Sequence, residues 1–201
     1  IEQSLRFNKP DTAYLSRTPS SAGNQKTWTW SVWVKRGQLT TGQYILSAWQ
    51  NGSNHFQMGF VNSGGNAADS LRVYAYAGSF VCHYVTTALF RDPSAWYHIV
   101  VTADTANATE ADRLRIYVNG EQVTDFSTTQ HPTQNIDLFV NKNVAHSIGR
   151  QGSAALYYDG YIAETSIIDG QALTPNSFGE TGDYGEWKPI AYAGTYGTNG
   201  F

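Results

Sequence analysis

The chain has 201 residues, a formal net charge of −3, and only 14% charged residues against 14% aromatic ones. So weak a negative charge gives no electrostatic footprint for nucleic acid or an anionic membrane surface. The single Cys82 excludes an intrachain disulfide framework and a cysteine zinc cluster, and no apolar run reaches the ~18 residues of a transmembrane helix. The ends, Ile1 and Phe201, read as cuts from a longer polypeptide.

Apolar residues alternate along the chain rather than recurring at helical spacing. Thr27–Lys35 places Trp28, Trp30, Val32 and Val34 on one face, and Thr29, Ser31, Trp33 and Lys35 on a half-wet face carrying one large ring. Strands are predicted at Tyr44–Trp49, Phe56–Val61, Leu71–Tyr76 and Val81–Thr86, separated by Asn/Gly/Ser clusters such as Asn62-Ser63-Gly64-Gly65-Asn66.

Trp96–Val101 is apolar on both parities, which predicts a central strand covered on both faces. Ala103–Asp112 reads as a polar loop with one helical turn. In Arg113–Val123, Leu114, Ile116 and Val118 point inward, Arg113, Arg115 and Tyr117 point outward, and Asn119-Gly120 supplies a tight hairpin turn. Asn176–Gly185 reads as another loop, and the last thirty or so residues as irregular and extended. About ten or eleven short strands with almost no helix imply an all-β chain of two stacked antiparallel sheets. It is expected to be one domain over 1–201, with 170–201 an irregular C-terminal extension.

Three ordered segments carry a family resemblance: Ser4–Phe7 through Tyr14-Leu15 to the strand Thr27–Lys35; Trp96–Thr102 and Leu114–Gly120; Ile148-Gly149 and Asp159–Glu164. Together they resemble laminin-G-like members of the concanavalin A-like lectin/glucanase superfamily, which implies curved jelly-roll sheets and a module that binds glycans or proteins. Ile168–Pro175, Ser177–Glu180, Trp187, Pro189 and Tyr196–Phe201 are similar to the tails of jelly-roll domains in marine bacteriophage virion proteins. That second resemblance implies a particle component, at the virion or extracellular surface.

The stretch Tyr158–Thr174 holds Asp159, Glu164 and Asp169. Glucanases of this superfamily carry Glu-x-Asp-x-x-Glu on a bulged strand. The nearest frame here, Asp159-x-Tyr161-x-x-Glu164, lacks the middle acid, and in a regular strand its two acids face opposite sides. Asp169 is expected beyond the strand, in an Asp-Gly turn. No catalytic residue is assigned. The resemblance allows a structural calcium at Asp159 or Glu164, but no Asp/Asn ladder supplies the ~6–8 oxygens calcium takes, so no metal and no cofactor is expected.

The five histidines show no ligand spacing, and His98 is expected to be a hydrogen-bonded core residue. Rings and amides are the positive evidence, because sugar C–H faces stack on Trp and Tyr. Trp28, Trp30, Trp96, Phe56 and Phe60 are read as core. The candidate ligand residues are Trp33, Trp49, Asn51, Tyr74, Tyr76 and Tyr84. The expected partners are cell-surface or free glycans, and other virion proteins or copies of the chain itself. Two alternatives stand beside this reading: a purely structural assembly or decoration domain, and a polysaccharide hydrolase.

Overall fold

The structure is a computed structural model that describes residues 1–62 and 65–201, so Ser63 and Gly64 of the expected 62–66 turn lie outside the described residues. Fifteen strands occur among the described residues. They are β1 (Leu5–Phe7), β2 (Leu15–Arg17), β3 (Thr27–Arg36), β4 (Gln43–Asn51), β5 (Asn54–Phe60), β6 (Ser70–Ala77), β7 (Phe80–Leu89) and β8 (Tyr97–Asp104). They continue with β9 (Leu114–Val118), β10 (Glu121–Gln122), β11 (Phe126–Gln130), β12 (Ala145–Ile148), β13 (Gly160–Asp169), β14 (Gly179–Thr181) and β15 (Trp187–Pro189). A back sheet of six strands runs β1-β13-β3-β8-β9-β10, and a front sheet of seven runs β11-β7-β6-β5-β4-β12-β2. The strand pairings of both sheets are antiparallel among the described residues. This is the two-sheet antiparallel sandwich predicted from alternation, of the jelly-roll kind that the resemblance implies.

Alternation explains the core. Trp28, Trp30, Val32 and Val34 of β3 are all 0% exposed and meet Phe56, Met58 and Val73 from the front sheet, with Trp28 edge-on to Phe56 at 5.3 Å. Each such side chain contributes about 1.5–3 kcal/mol relative to exposure. Trp96, expected in the core, lies just before β8 and is only partly buried.

The other face of β3 departs from expectation. Thr29, Ser31 and Trp33 are buried as well, because the residues after β13 lie across the back sheet. Thr29 Oγ1 donates to the Gln171 carbonyl at 2.8 Å, and Thr102 Oγ1 donates to the Leu173 carbonyl at 2.6 Å. Phe178 packs on Val100, Tyr117 and Ile168 as a second apolar cluster. The C-terminal segment is thus a cover, irregular apart from a 3-10 turn at Pro175–Ser177 and the β14–β15 ribbon among the described residues. It also gives β8 the apolar environment on both faces that its sequence predicted. At the β9–β10 turn, Asn119 (φ 50°) and Gly120 (φ 89°) take the left-handed conformation the hairpin requires.

Candidate functional site

The C-terminal segment covers the middle of the back sheet, while the outer face of the front sheet keeps several rings partly open to solvent. Register pairs stand on one side of a sheet. Trp49 of β4 pairs with His55 of β5, and His55 pairs with Tyr76 of β6. Tyr76 pairs with Phe80 of β7, and Tyr74 pairs with His83. The rings meet accordingly. His55 stacks on Trp49 (4.7 Å, 22°) and on Tyr76 (5.7 Å, 18°). Phe80 meets Tyr76 edge-on at 5.2 Å and stacks on His83 at 4.3 Å. The Arg72 guanidinium lies 4.1 Å from the Tyr74 ring centroid, and its Nε donates to His83 Nε2 at 2.9 Å.

The result is a ring pavement across four strands. His55 and Tyr74 form its floor, with Trp49, Arg72, Tyr76, Phe80 and His83 partly exposed. The loop after β12 makes a wall at one end. A Cβ on Gly152 would fall 2.3 Å from Trp49 Cβ, so only glycine lets the backbone come this close.

Among the described residues of the pavement, Arg72 supplies the charge. Burial and the neighbouring Arg72 push His83 down to about 4, and since its Nε2 accepts from Arg72 it is neutral at physiological pH. Burial lowers His55 too, with Arg72 adding and the Asn51 carbonyl opposing. Burial and the adjacent Tyr44 raise the Tyr74 hydroxyl, which donates to Gln57 Oε1. Gln57 Nε2 is buried with no hydrogen-bond partner among the described residues. Rings, amides and hydroxyls around one guanidinium can stack on and hydrogen-bond a polar ligand.

Of the residues predicted from sequence, Trp49, Tyr74 and Tyr76 come together here. Asn51 stands beside them at the β4–β5 turn, its Oδ1 accepting from the Ser53 backbone N–H at 2.9 Å and from Asn54 Nδ2 at 3.1 Å. Two expectations need correction. Trp33 is 4% exposed under the C-terminal cover, stacked on His98 at 4.8 Å. Tyr84 shares the parity of Cys82, points into the core at 2% exposure, and lies 2.9 Å from His131 Nδ1 through its hydroxyl. Sequence reasoning missed His55, Arg72, Phe80 and His83. The signal was present for three of them: Arg72 has the parity of Tyr74 and Tyr76, His55 alternates with Phe56, and His83 alternates with Cys82.

The acids of Tyr158–Thr174 are held separately. Asp159 pairs with Arg6 Nη2 at 2.8 Å. Glu164 is exposed at a bulge with φ 46°, so β13 is not the regular strand assumed for the parity argument. It borders a recess of about 300 Å³ that no second carboxylate lines among the described residues. Asp169 ends β13 rather than lying beyond it. Its carboxylate accepts from the Asn24 N–H (2.7 Å), the Asn199 N–H (3.1 Å) and Asn141 Nδ2 (3.1 Å), long-range partners rather than a local turn. No group of three or more His, Cys, Asp or Glu side chains suited to a metal occurs among the described residues.

A family model described as the Concanavalin A-like lectin/glucanases superfamily matches residues 10–177, and the chain belongs to that superfamily. No curated protein matches it. Among solved structures it is similar to a putative carbohydrate binding protein from Bacteroides ovatus (17% identity, TM-score 0.59, covering 86% of this chain and 44% of that one). It is also similar to the CBM40 of Ruminococcus gnavus IT-sialidase bound to α2,3-sialyllactose (14% identity, TM-score 0.58, covering 87% and 93%). A third is domain 4 of an extracellular arabinanase from Geobacillus stearothermophilus in complex with arabinotriose (21% identity, TM-score 0.53). That likeness covers 76% of this chain and 65% of the arabinanase chain, just under two thirds of its length. At these identities the likeness is one of fold.

Proposed function

We propose that the domain is a non-catalytic glycan-binding module whose site is the ring pavement of the front sheet. The observation that carries the reading is the unbroken run Trp49–His55–Tyr76–Phe80–His83, partly open to solvent on the outer face of the front sheet. Pyranose C–H faces stack on such rings, and the polar edges of Arg72 and His83, both partly exposed, offer hydrogen bonds to hydroxyls. Membership of a lectin/glucanase superfamily and the sugar-bound neighbours support the reading. Asp159, Glu164 and Asp169 have separate surroundings, which favours binding over hydrolysis.

In this reading the domain sits on a virion surface and adheres to cell-surface or free glycans, which the resemblance of its C-terminal runs to phage virion proteins supports. Repetition on a particle would raise a weak single-site affinity. A second reading, assembly with neighbouring virion proteins or copies of itself, rests on Tyr184, whose ring is 96% exposed in the β14–β15 connection. A glycan array with the isolated chain tests the first reading. Retention on at least one glycan class is expected, and retention on none would leave assembly in its place.

A further inference from the structure

The pavement carries a sign. All sixteen acidic residues of the chain lie outside the seven strands of the front sheet. Arg72 stands among the rings with its Nε engaged by His83, and neither Nη atom has a hydrogen-bond partner among the described residues. It makes no ion pair among them. Arg6, by contrast, pairs with Asp159, and Arg36 and Arg91 share Asp69. The acid nearest Arg72 in sequence, Asp69, is fully buried and committed to Arg36 and Arg91.

A guanidinium held this way is preorganised. Its plane is fixed by the Tyr74 ring at 4.1 Å and the Phe80 ring at 5.4 Å, and by the bond to His83 at 2.9 Å. The unused Nη edge offers a fork that fits a carboxylate or sulfate with two parallel hydrogen bonds. A neutral sugar seated on the rings would bury this charge without compensation, at a cost.

We infer that the platform takes an acidic saccharide, with Arg72 gripping a carboxylate or sulfate of a sugar whose ring lies on Tyr76 or Trp49. This rests on the glycan-binding reading and narrows it to one ligand class. The chain's net charge of −3 opposes a polyanion, so a preference for one must come from this local site.

Calorimetric titration with polygalacturonate, dextran sulfate and unmodified dextran, at low and high salt, tests the inference. One or both acidic polymers should bind at least about tenfold tighter than dextran and lose affinity as salt rises. Arg72→Gln should lose about tenfold for the acidic polymer together with its salt dependence, and Arg72→Lys should keep the preference in weakened form. The two acidic arms decide between carboxylate and sulfate. Dextran bound as tightly as both acidic polymers, or Arg72→Gln binding like wild type, would overturn the inference while leaving glycan binding in place. Failure of all three polymers to bind, for a chain the array shows retained only by neutral glycans, overturns it likewise; with no retention on the array, both readings fall. If Arg72→Gln does not fold, the wild-type preference and its salt dependence decide alone.

Discussion

Arg36 Nη2 meets Asp69 Oδ1 at 2.9 Å, with neither side chain exposed to solvent. Arg91 Nε reaches the other oxygen at 3.2 Å, the Thr40 N–H donates at 2.7 Å, and Arg36 Nη1 donates to the Phe90 carbonyl at 2.6 Å. The pair ties the end of β3 in the back sheet to the start of β6 in the front sheet. Asp69→Asn keeps the shape but strands the Arg36 charge. It should cost about 3–5 kcal/mol, read as a lower denaturant midpoint with an unchanged slope.

The same carboxylate makes the fold acid-sensitive. Burial alone would raise Asp69, but the Thr40 N–H and Arg36 outweigh it and hold it below its ordinary value. Its stabilising contribution is therefore complete above about pH 4 and lost as pH falls through the lower folded value. Unfolding followed from pH ~5 downward should show this loss in wild type and much less of it in Asp69→Asn.

His98 acts in a higher window. It is fully buried between Trp33 and Trp187, its Nδ1 accepts from Trp187 Nε1 at 2.8 Å, and its Nε2 lies 2.8 Å from Ser31 Oγ. Burial pushes it from 6.5 down to about 4. A neutral buried imidazole contributes fully above pH 6.5, and the contribution erodes as pH falls toward 4, on the order of 3 kcal/mol in all. Thermal unfolding across that interval should steepen in wild type and flatten in His98→Gln.

Asp169 anchors the C-terminal cover. Besides its side-chain bonds to Asn24 and Asn199, its backbone N–H donates to the Tyr196 carbonyl at 2.8 Å. Asp169→Ala leaves the buried N–H of Asn199 without its acceptor, a loss of about 1–3 kcal/mol. Limited proteolysis should then cut within 190–201 well before the sandwich itself unfolds.

These features divide sharply in how far the chain foretells them. The β3 face of Trp28, Trp30, Val32 and Val34 and the Asn119-Gly120 hairpin follow from period and turn chemistry alone. The cover over Trp33 does not, because Gln171–Phe201 has no apolar period and is held by single long-range bonds such as Leu173 N–H to Thr29 Oγ1 at 2.8 Å. The bulge at Glu164 is likewise a tertiary choice, serving to aim Thr165 at Trp30 Nε1, 3.1 Å away. At the site, parity identifies Tyr74 and Tyr76 as outward-facing. It does not give the cross-strand register that sets His55 between Trp49 and Tyr76, nor which parity of β7 faces in, and that cost Tyr84 its expected place.

The two tryptophans separate structure from binding. Trp33→Ala should cost about 3–5 kcal/mol of stability and, where folded protein remains, leave glycan retention intact. Trp49→Ala should reverse the pattern, sparing most of the stability and losing retention.

The most direct test compares wild type with Tyr76→Ala on the glycan that retains the wild type best, with unfolding midpoints measured in parallel. Loss of roughly tenfold in affinity, about 1.4 kcal/mol, at a nearly unchanged midpoint is the predicted result. Equal retention by the two proteins would contradict the account, because it would put the sugar somewhere other than the open rings of the front sheet.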